Sequence, residues 1–238
     1  MHQLPELMAQ ATHTAFYLLM WSVSLLLQLT LFVSLFSRGV ARFAPFFTNF
    51  VGFYLVRSAL LFLLLNYISV PAYSWLYHLG LFLDIFVELS VALELTLHLV
   101  RTHGGWTPHN IIIPIIFLCA AAVGTYLTVH LTRENLMPVD QPILFFSYDM
   151  LLLWGWSFFV RESSLVARSI SQGFAIYSTI NIIANIGRNT ALFYDHPQRY
   201  ASWTYVLAAS YMVVVIFWLG TLWPNPEKIA PKPLGTTI

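Results

Sequence analysis

The chain has 238 residues, of which 58% are hydrophobic and only 9% are charged, with a formal net charge of +1. Soluble domains carry about 25% charged residues, so this composition, with a mean hydropathy of +0.72, excludes an ordinary soluble domain and indicates a protein of the lipid bilayer. So small a net charge offers no electrostatic field for nucleic acid. The single cysteine, Cys119, excludes an internal disulfide and lies in an apolar run typical of packing.

Seven apolar segments follow one another along residues 1–223. Each is long enough to cross a hydrocarbon layer of about 30 Å as a helix, and glycine, proline and charged residues separate them. We therefore predict an all-α, polytopic membrane domain over residues 1–223 and a proline-rich cytoplasmic tail over residues 224–238. The predicted spans are residues 12–36, 43–67, 72–100, 110–131, 142–164, 169–194 and 201–223.

Basic residues set the predicted orientation, because they favour the cytoplasmic ends of spans. The loops after the first, third and fifth predicted spans, together with the tail, carry most of the arginine and lysine, whereas the opposite side carries Arg133 and Arg199. We expect the N-terminus outside and the C-terminus in the cytoplasm. The sequence thus predicts a multi-pass protein of the cell membrane, the inner membrane in a bacterium.

The third predicted span differs from the others because Asp84, Glu88 and Glu94 interrupt its apolar run. A charge at the centre of a membrane helix costs roughly 2.5–3.5 kcal/mol on insertion scales, so each acid should face other helices and find a partner. Asp84 and Glu88 are four residues apart and share a helix face. Arg57 has a similar predicted depth in the second span and could meet these carboxyls. His78 should lie close to the same face, two turns outward.

The sixth predicted span carries a second polar stripe, since its polar residues recur every three or four positions and fall on one face. Arg188 should lie at the outer end of this stripe, at a depth comparable to that of Asp149 in the fifth span, so the two could be counter-ions. The structural alternative is that such groups only fasten helices together. The stripe consists of Ser178, Asn181, Asn185, Arg188 and Asn189.

The charges inside the predicted spans do not balance, because four carboxyls face only Arg57 and Arg188. Burial and a like-charged neighbour both disfavour the ionised form of a carboxyl. We therefore expect at least one carboxyl to be protonated at neutral pH, with Glu88 and Glu94 as the candidates. Glu94 also forms a pair at i, i+4 with His98, toward the cytoplasm. The four carboxyls are Asp84, Glu88, Glu94 and Asp149.

Cofactor chemistry has little support in the residue pattern. Retinal needs a Schiff-base lysine inside a helix, and both lysines of the chain lie in the predicted tail, so no retinal is expected. The seven-helix membrane zinc hydrolases place paired histidines in their last span, where residues 201–223 have none; we predict no enzyme. Haem or a metal on outer histidines is conceivable, although no two of them occur at ligand spacing on one helix. These histidines are His13, His78 and His130.

Three stretches of the chain carry a resemblance to a known group of proteins. They are FAPFFTNFVGFYLVRSALLF, PAYSWLYHLGLFLDIFVELSVALELTLHLVR and the closing FWLGTLWPNPE. In hydropathy pattern and in scattered proline, tryptophan and glutamate positions, the chain resembles short bacterial seven-helix integral membrane proteins of unassigned function, and Glu94 is the position that matches best. The resemblance implies the architecture and no activity.

The sequence leaves three functions open. The leading hypothesis is a receptor-like or sensory protein whose polar interior binds a small ligand or a proton, and whose partners are the lipid bilayer and a membrane protein or a second copy of the chain. The second is a proton-coupled carrier or channel for a small solute, and the third is an accessory subunit of a larger membrane complex. We assign no metal ligand. The residues expected to bind the ligand or proton are Arg57, His78, Asp84, Glu88, Glu94, Asp149, Asn181, Asn185 and Arg188.

Overall fold

The fold is helical throughout the part of the chain that the structure describes. The computed structural model describes residues 15–64, 67–101, 108–131, 140–159, 165–193 and 197–222. Within these ranges it contains eight helices and no strand. The helices are α1 (Ala15–Ser37), α2 (Val40–Phe43), α3 (Pro45–Leu64), α4 (Val70–Arg101), α5 (Pro108–Leu131), α6 (Asp140–Phe159), α7 (Leu165–Phe193) and α8 (Pro197–Thr221).

The seven long helices overlap the seven predicted segments and differ from them at their ends. Helix α3 begins at Pro45 rather than at residue 43, because Ala44 has a non-helical backbone with φ −127°. Helix α8 begins at Pro197, where we predicted a loop through Arg199, because proline is well suited to the first turn of a helix. Helix α7 likewise starts earlier than predicted, at Leu165. Local end signals therefore shift the boundaries without changing the order of helices.

Three of the helices are long and apolar enough to cross a membrane. The qualifying segments are Leu18–Ser37 in α1, Pro45–Leu64 in α3 and Gln198–Thr221 in α8. Large apolar side chains on these helices face outward, for example Leu26 and Val56. Apolar surface of this extent is unfavourable in water and marks contact with lipid or protein. The protein therefore associates with a membrane.

Six of the long helices form a closed ring of neighbours around the core. In the order α1, α3, α4, α6, α7 and α8, each packs against the next, and α8 returns to α1, while α5 packs mainly against the outside of α6. The centre of the ring is aromatic: ring centroids lie 4.9 Å apart for Phe47 and Trp218, 5.0 Å for Phe174 and Trp218, and 5.1 Å for Phe50 and Phe174.

Helices α7 and α8 approach closely because Gly173 carries no side chain. A Cβ atom at Gly173 would lie 2.1 Å from Nε1 of Trp218, which is closer than two such atoms can come. The indole Nε1 donates a hydrogen bond of 3.2 Å to the backbone carbonyl of Ser169, one turn earlier in α7. The buried ring of Trp218 is therefore held against α7 by both packing and a hydrogen bond.

Candidate functional site

An ion pair between α3 and α4 forms the centre of the polar cluster. Nη1 of Arg57 donates to Oδ2 of Asp84, and both side chains are largely buried. Two aromatic rings flank the guanidinium, with 5.9 Å from its Cζ to the ring centroid of Tyr54 and 5.5 Å to that of Tyr77. Gly80 makes room for the arginine, since a Cβ atom there would lie 2.6 Å from Nε. The pairing of Arg57 with Asp84, expected from their similar depth, is therefore present.

Glu88 lies beside this ion pair and is not part of it. Its Oε1 accepts a hydrogen bond of 3.2 Å from the hydroxyl of Tyr54, whereas the guanidinium of Arg57 pairs with Asp84. Helices α3 and α4 are antiparallel neighbours, and their register places Tyr54 opposite Glu88 and Arg57 opposite Asp84. Of the two carboxyls that Arg57 could meet, it therefore pairs with Asp84, and no hydrogen bond or ion pair joins it to Glu88. Glu88 is buried at 6% exposure with a neutral hydrogen-bond partner.

A small cavity at the centre of the bundle borders Glu88. The space open to the centre of a water molecule is about 10 Å³, roughly what one water requires. Apart from Glu88 and Val214, every residue that lines the cavity carries an aromatic ring, and three of the rings belong to Tyr54, Tyr177 and Tyr211. The cavity therefore combines one carboxyl with several phenol groups in an apolar setting.

Glu94 has a different role, because it caps the N-terminus of α3. Its Oε1 accepts from the backbone N–H of Phe46 at 3.0 Å and its Oε2 from that of Phe47 at 2.9 Å. These first-turn donors have no partner within their own helix, and the positive end of the helix dipole favours a negative charge there. His98, one turn further along α4, lies 3.0 Å from the carbonyl of Phe43 and stacks on its ring. The predicted pair of Glu94 and His98 thus joins α4 to the corner between α2 and α3.

The polar stripe of α7 is buried and forms a chain of hydrogen bonds. Nδ2 of Asn185 donates to Oδ1 of Asn181 at 2.9 Å, and Nδ2 of Asn181 donates to the hydroxyl of Ser147 in α6 at 3.0 Å. Nδ2 of Asn189 donates to the backbone carbonyl of Asn185 at 2.8 Å. Within the described residues, Oδ1 of Asn185 and the hydroxyl of Ser178 are buried and make no hydrogen bond. The stripe therefore fastens α7 to α6 and also leaves polar atoms able to bind water or a ligand.

Asp149 and Arg188 do not pair, contrary to our prediction. Nη2 of Arg188 donates to the hydroxyl of Tyr200, and its Cζ lies 4.7 Å from the centroid of that ring. Tyr200 is in the first turn of α8 and Arg188 is in the last two turns of α7, so this contact joins the two helices. The side chain of Asp149 is 5% exposed, and no described residue forms a hydrogen bond or ion pair with it. Asp149 is thus a second buried carboxyl without a counter-ion in this part of the chain.

The histidines lie away from the cluster in the described part of the chain. His78 is exposed, and its Nδ1 lies 2.6 Å from the carbonyl of Ser74 in the same helix. His78 precedes Asp84 by six residues, which on an α-helix places its side chain about 120° around the axis from that of Asp84. His130 is exposed near the end of α5 and stacks on Tyr126, and His13 lies outside the described residues. Among those described, no group of three or more His, Cys, Asp or Glu side chains could hold a metal ion.

The sequence did not point to the tyrosines of the cavity. Aromatic residues in apolar helices are ordinarily packing groups with a polar end, so nothing in the pattern distinguished Tyr177 and Tyr211 from their neighbours. Tyr54 offered a weak signal, because it precedes Arg57 by three residues and therefore shares its helix face. Three-dimensional packing is what brings these hydroxyl-bearing rings to Glu88.

Comparisons of the chain with protein families, with curated proteins and with solved structures give no match. The resemblance to short bacterial seven-helix membrane proteins stays a prediction. What the site can do therefore follows from its own geometry. That geometry consists of a complete ion pair, a neighbouring carboxyl with only a phenol as partner, and a space of molecular-water size.

Proposed function

We propose that this chain is a receptor-like or sensory protein with seven transmembrane spans, and that its interior binds a proton at Glu88. The observation that supports this is the environment of Glu88, a buried carboxyl whose hydrogen-bond donor is the neutral hydroxyl of Tyr54. Arg57 and Asp84 balance each other's charge, so an ionised Glu88 would leave the cluster with one unpaired negative charge. Burying an unpaired charge is very unfavourable. A proton on Glu88 restores the balance.

The size of the cavity favours a proton over an organic ligand. Pockets that bind organic molecules enclose roughly 300–1,000 Å³, whereas the space beside Glu88 admits the centre of about one water, near 10 Å³. The sequence leaves open a small organic ligand or a proton, and the proton is the one that fits this cavity. The bundle would have to separate before a metabolite could enter.

The proposed topology has α1 and α3 to α8 as the seven spans, with the N-terminus outside and the C-terminus in the cytoplasm. In its favour, helices beyond the three that are long and apolar enough to span a membrane also turn large apolar side chains outward, including Phe86 of α4, Val123 of α5 and Ile183 of α7. The lipid bilayer would cover these faces. A membrane protein or a second copy of the chain would receive the signal.

The cavity gives a physical route from protonation to helix packing. Its walls come from α3, α4, α6, α7 and α8, so five helices meet where the charge of Glu88 changes. Loss of the proton would create a charge in an apolar space, and the helices would have to admit water or move to stabilise it. Trp218 of α8 lines the same space and should report the change in its fluorescence.

Infrared spectroscopy of the reconstituted protein tests this proposal. We expect a carbonyl stretching band of a protonated carboxyl at neutral pH that disappears in Glu88→Gln. The matched control is Glu94→Gln, the same chemical change in the same helix, which should keep the band under conditions where its helix content shows that it is folded. Wild type and both variants are also compared in an Asp149→Asn background, because Asp149 is a second buried carboxyl that could give a band of its own. In that background, the absence of a protonated-carboxyl band, or a band that persists in Glu88→Gln, would refute proton binding at Glu88.

Asp149 supports a second candidate, a proton-coupled carrier. A carrier needs proton-accepting groups along a path, and Asp149 is a second buried carboxyl for which the described residues supply no hydrogen bond. In this case, vesicles that contain the protein should take up protons together with a solute, and Glu88→Gln and Asp149→Asn should each abolish the uptake. Unchanged proton flux in both variants would exclude the carrier.

A further inference from the structure

Tyr211 presents a polar atom that the packing of the bundle leaves without a partner. Within the described residues, its hydroxyl is buried and makes no hydrogen bond. The ring itself is well placed, with its centroid 6.0 Å from that of Tyr54 and 6.0 Å from that of Tyr177. Buried hydroxyls are nearly always hydrogen-bonded to protein or to ordered water. A partner for this hydroxyl should therefore exist close to it.

The cavity beside Glu88 is where such a partner can lie. Tyr211 and Glu88 both line it, together with Tyr54 and Tyr177. The space admits the centre of one water molecule, about 10 Å³, and a buried water needs two to four polar partners. The carboxyl of Glu88 and the hydroxyl of Tyr211 supply two such partners, which a purely apolar cavity would lack.

We propose that this cavity binds one water molecule, which bridges the carboxyl of Glu88 and the hydroxyl of Tyr211. The inference rests on the proposed protonation of Glu88 and adds the hydrogen bonds that stabilise the protonated carboxyl. The hydroxyl of Tyr54 donates a hydrogen bond of 3.2 Å to one oxygen of the carboxyl, and the water forms a hydrogen bond with the other oxygen. Tyr211 is then a positioning residue, because it acts on Glu88 through the water.

This arrangement connects α4 directly to α8. Glu88 belongs to α4 and Tyr211 to α8, two helices that are not adjacent in the ring. A bridging water therefore carries a hydrogen bond across the middle of the bundle, and proton loss at Glu88 changes the water's hydrogen bonds to α8. The bridge makes α8, the last helix described, sensitive to the protonation of Glu88.

The test uses Tyr211→Phe in the full-length reconstituted protein, since phenylalanine keeps the stacked ring and removes only the hydroxyl. We expect the carboxyl band of Glu88 to move to higher frequency, because the carboxyl loses a hydrogen bond, and its exchange in deuterated water to slow. Val214→Ile should have the same effect by filling the cavity with one additional carbon while Tyr211 stays in place. Tyr126→Phe, on the exposed face of α5, is the control and should leave the band unchanged.

The outcomes separate the water site from the proposed function. If the band is present, depends on Glu88, and is unaffected by both Tyr211→Phe and Val214→Ile, the water bridge is refuted and proton binding stands. If no band is present, proton binding falls. An experimental structure that resolves ordered water tests the water bridge independently of the band. We expect one water within hydrogen-bond distance of both Glu88 and Tyr211, and a cavity without water would overturn the inference.

Discussion

Replacing two acids of α4, Glu88 and Glu94, by glutamine should have very unequal consequences for stability. Glu94 accepts two backbone hydrogen bonds, from Phe46 at 3.0 Å and from Phe47 at 2.9 Å. The amide of Glu94→Gln keeps one acceptor and turns an N–H donor toward the second backbone N–H. Glu88→Gln, by contrast, replaces a carboxyl that we propose to be neutral by a neutral amide, which can still accept from Tyr54.

The structure sets the size of the difference. A buried donor left without a partner costs about 1–3 kcal/mol, and loss of a negative charge at a helix N-terminus costs up to about 2 kcal/mol in partly buried sites. We therefore expect Glu94→Gln to lose about 2–4 kcal/mol of the free energy of unfolding. This is a large share of the roughly 5–15 kcal/mol typical of folded domains. Glu88→Gln should change the free energy of unfolding by less than about 1 kcal/mol, since no hydrogen bond is lost.

Unfolding of the purified protein in mixed micelles, with helix content as the signal, measures both values. Each variant is compared with wild type at the same detergent composition. A Glu94→Gln protein as stable as wild type would show that the carboxylate does not cap α3. A Glu88→Gln protein that loses as much stability as Glu94→Gln would show that Glu88 is ionised and paired, against the proposed function.

Two further substitutions test the packing and the ion pair. Gly173→Ala should destabilise the protein by about 1–3 kcal/mol or more, because its methyl would meet Trp218 at 2.1 Å, whereas Gly155→Ala, with no atom within 4 Å of the new methyl, should be neutral or slightly stabilising in the same unfolding assay. Equal effects would contradict the close approach of α7 and α8. Arg57→Met should cost about 3–5 kcal/mol by leaving Asp84 buried and unpaired, and the double variant with Asp84→Asn should recover most of that loss. Additive losses would show that the two side chains do not act as a pair.

Some features of the site followed from the chain alone, because they depend on local periodicity and depth. The stripe of Asn181, Asn185 and Asn189 repeats every four residues, so a helix must place it on one face, and that face is buried. Arg57 and Asp84 lie at similar distances from a shared turn, so antiparallel neighbours bring them to one level. In both cases the result requires only that the segments are helices and that α3 and α4 are adjacent.

Partner choice within the same level could not be predicted. Asp149 and Arg188 were expected at comparable depth, yet the guanidinium contacts Tyr200 of α8, and no described residue pairs with Asp149. The spacing of Glu94 and His98 predicted a polar pair, but it could not predict that the carboxyl of Glu94 would accept from the first turn of α3. The position of a residue along its helix determines the depth of its side chain in the bundle. The partner of that side chain depends on how each helix is rotated about its axis.

The sequence by itself determined the helices and their association with a membrane, because hydrophobicity and backbone hydrogen bonding act within each segment. Only the tertiary structure decided that Glu88 faces Tyr54 and a water-sized cavity, and that Arg57 forms its ion pair with Asp84 alone among the carboxyls of the described residues. Rotation and register of the helices follow from close contacts between distant residues, such as Gly173 with Trp218 and Gly80 with Arg57. Such contacts involve side-chain shape on two helices at once, and for that reason no single segment encodes them.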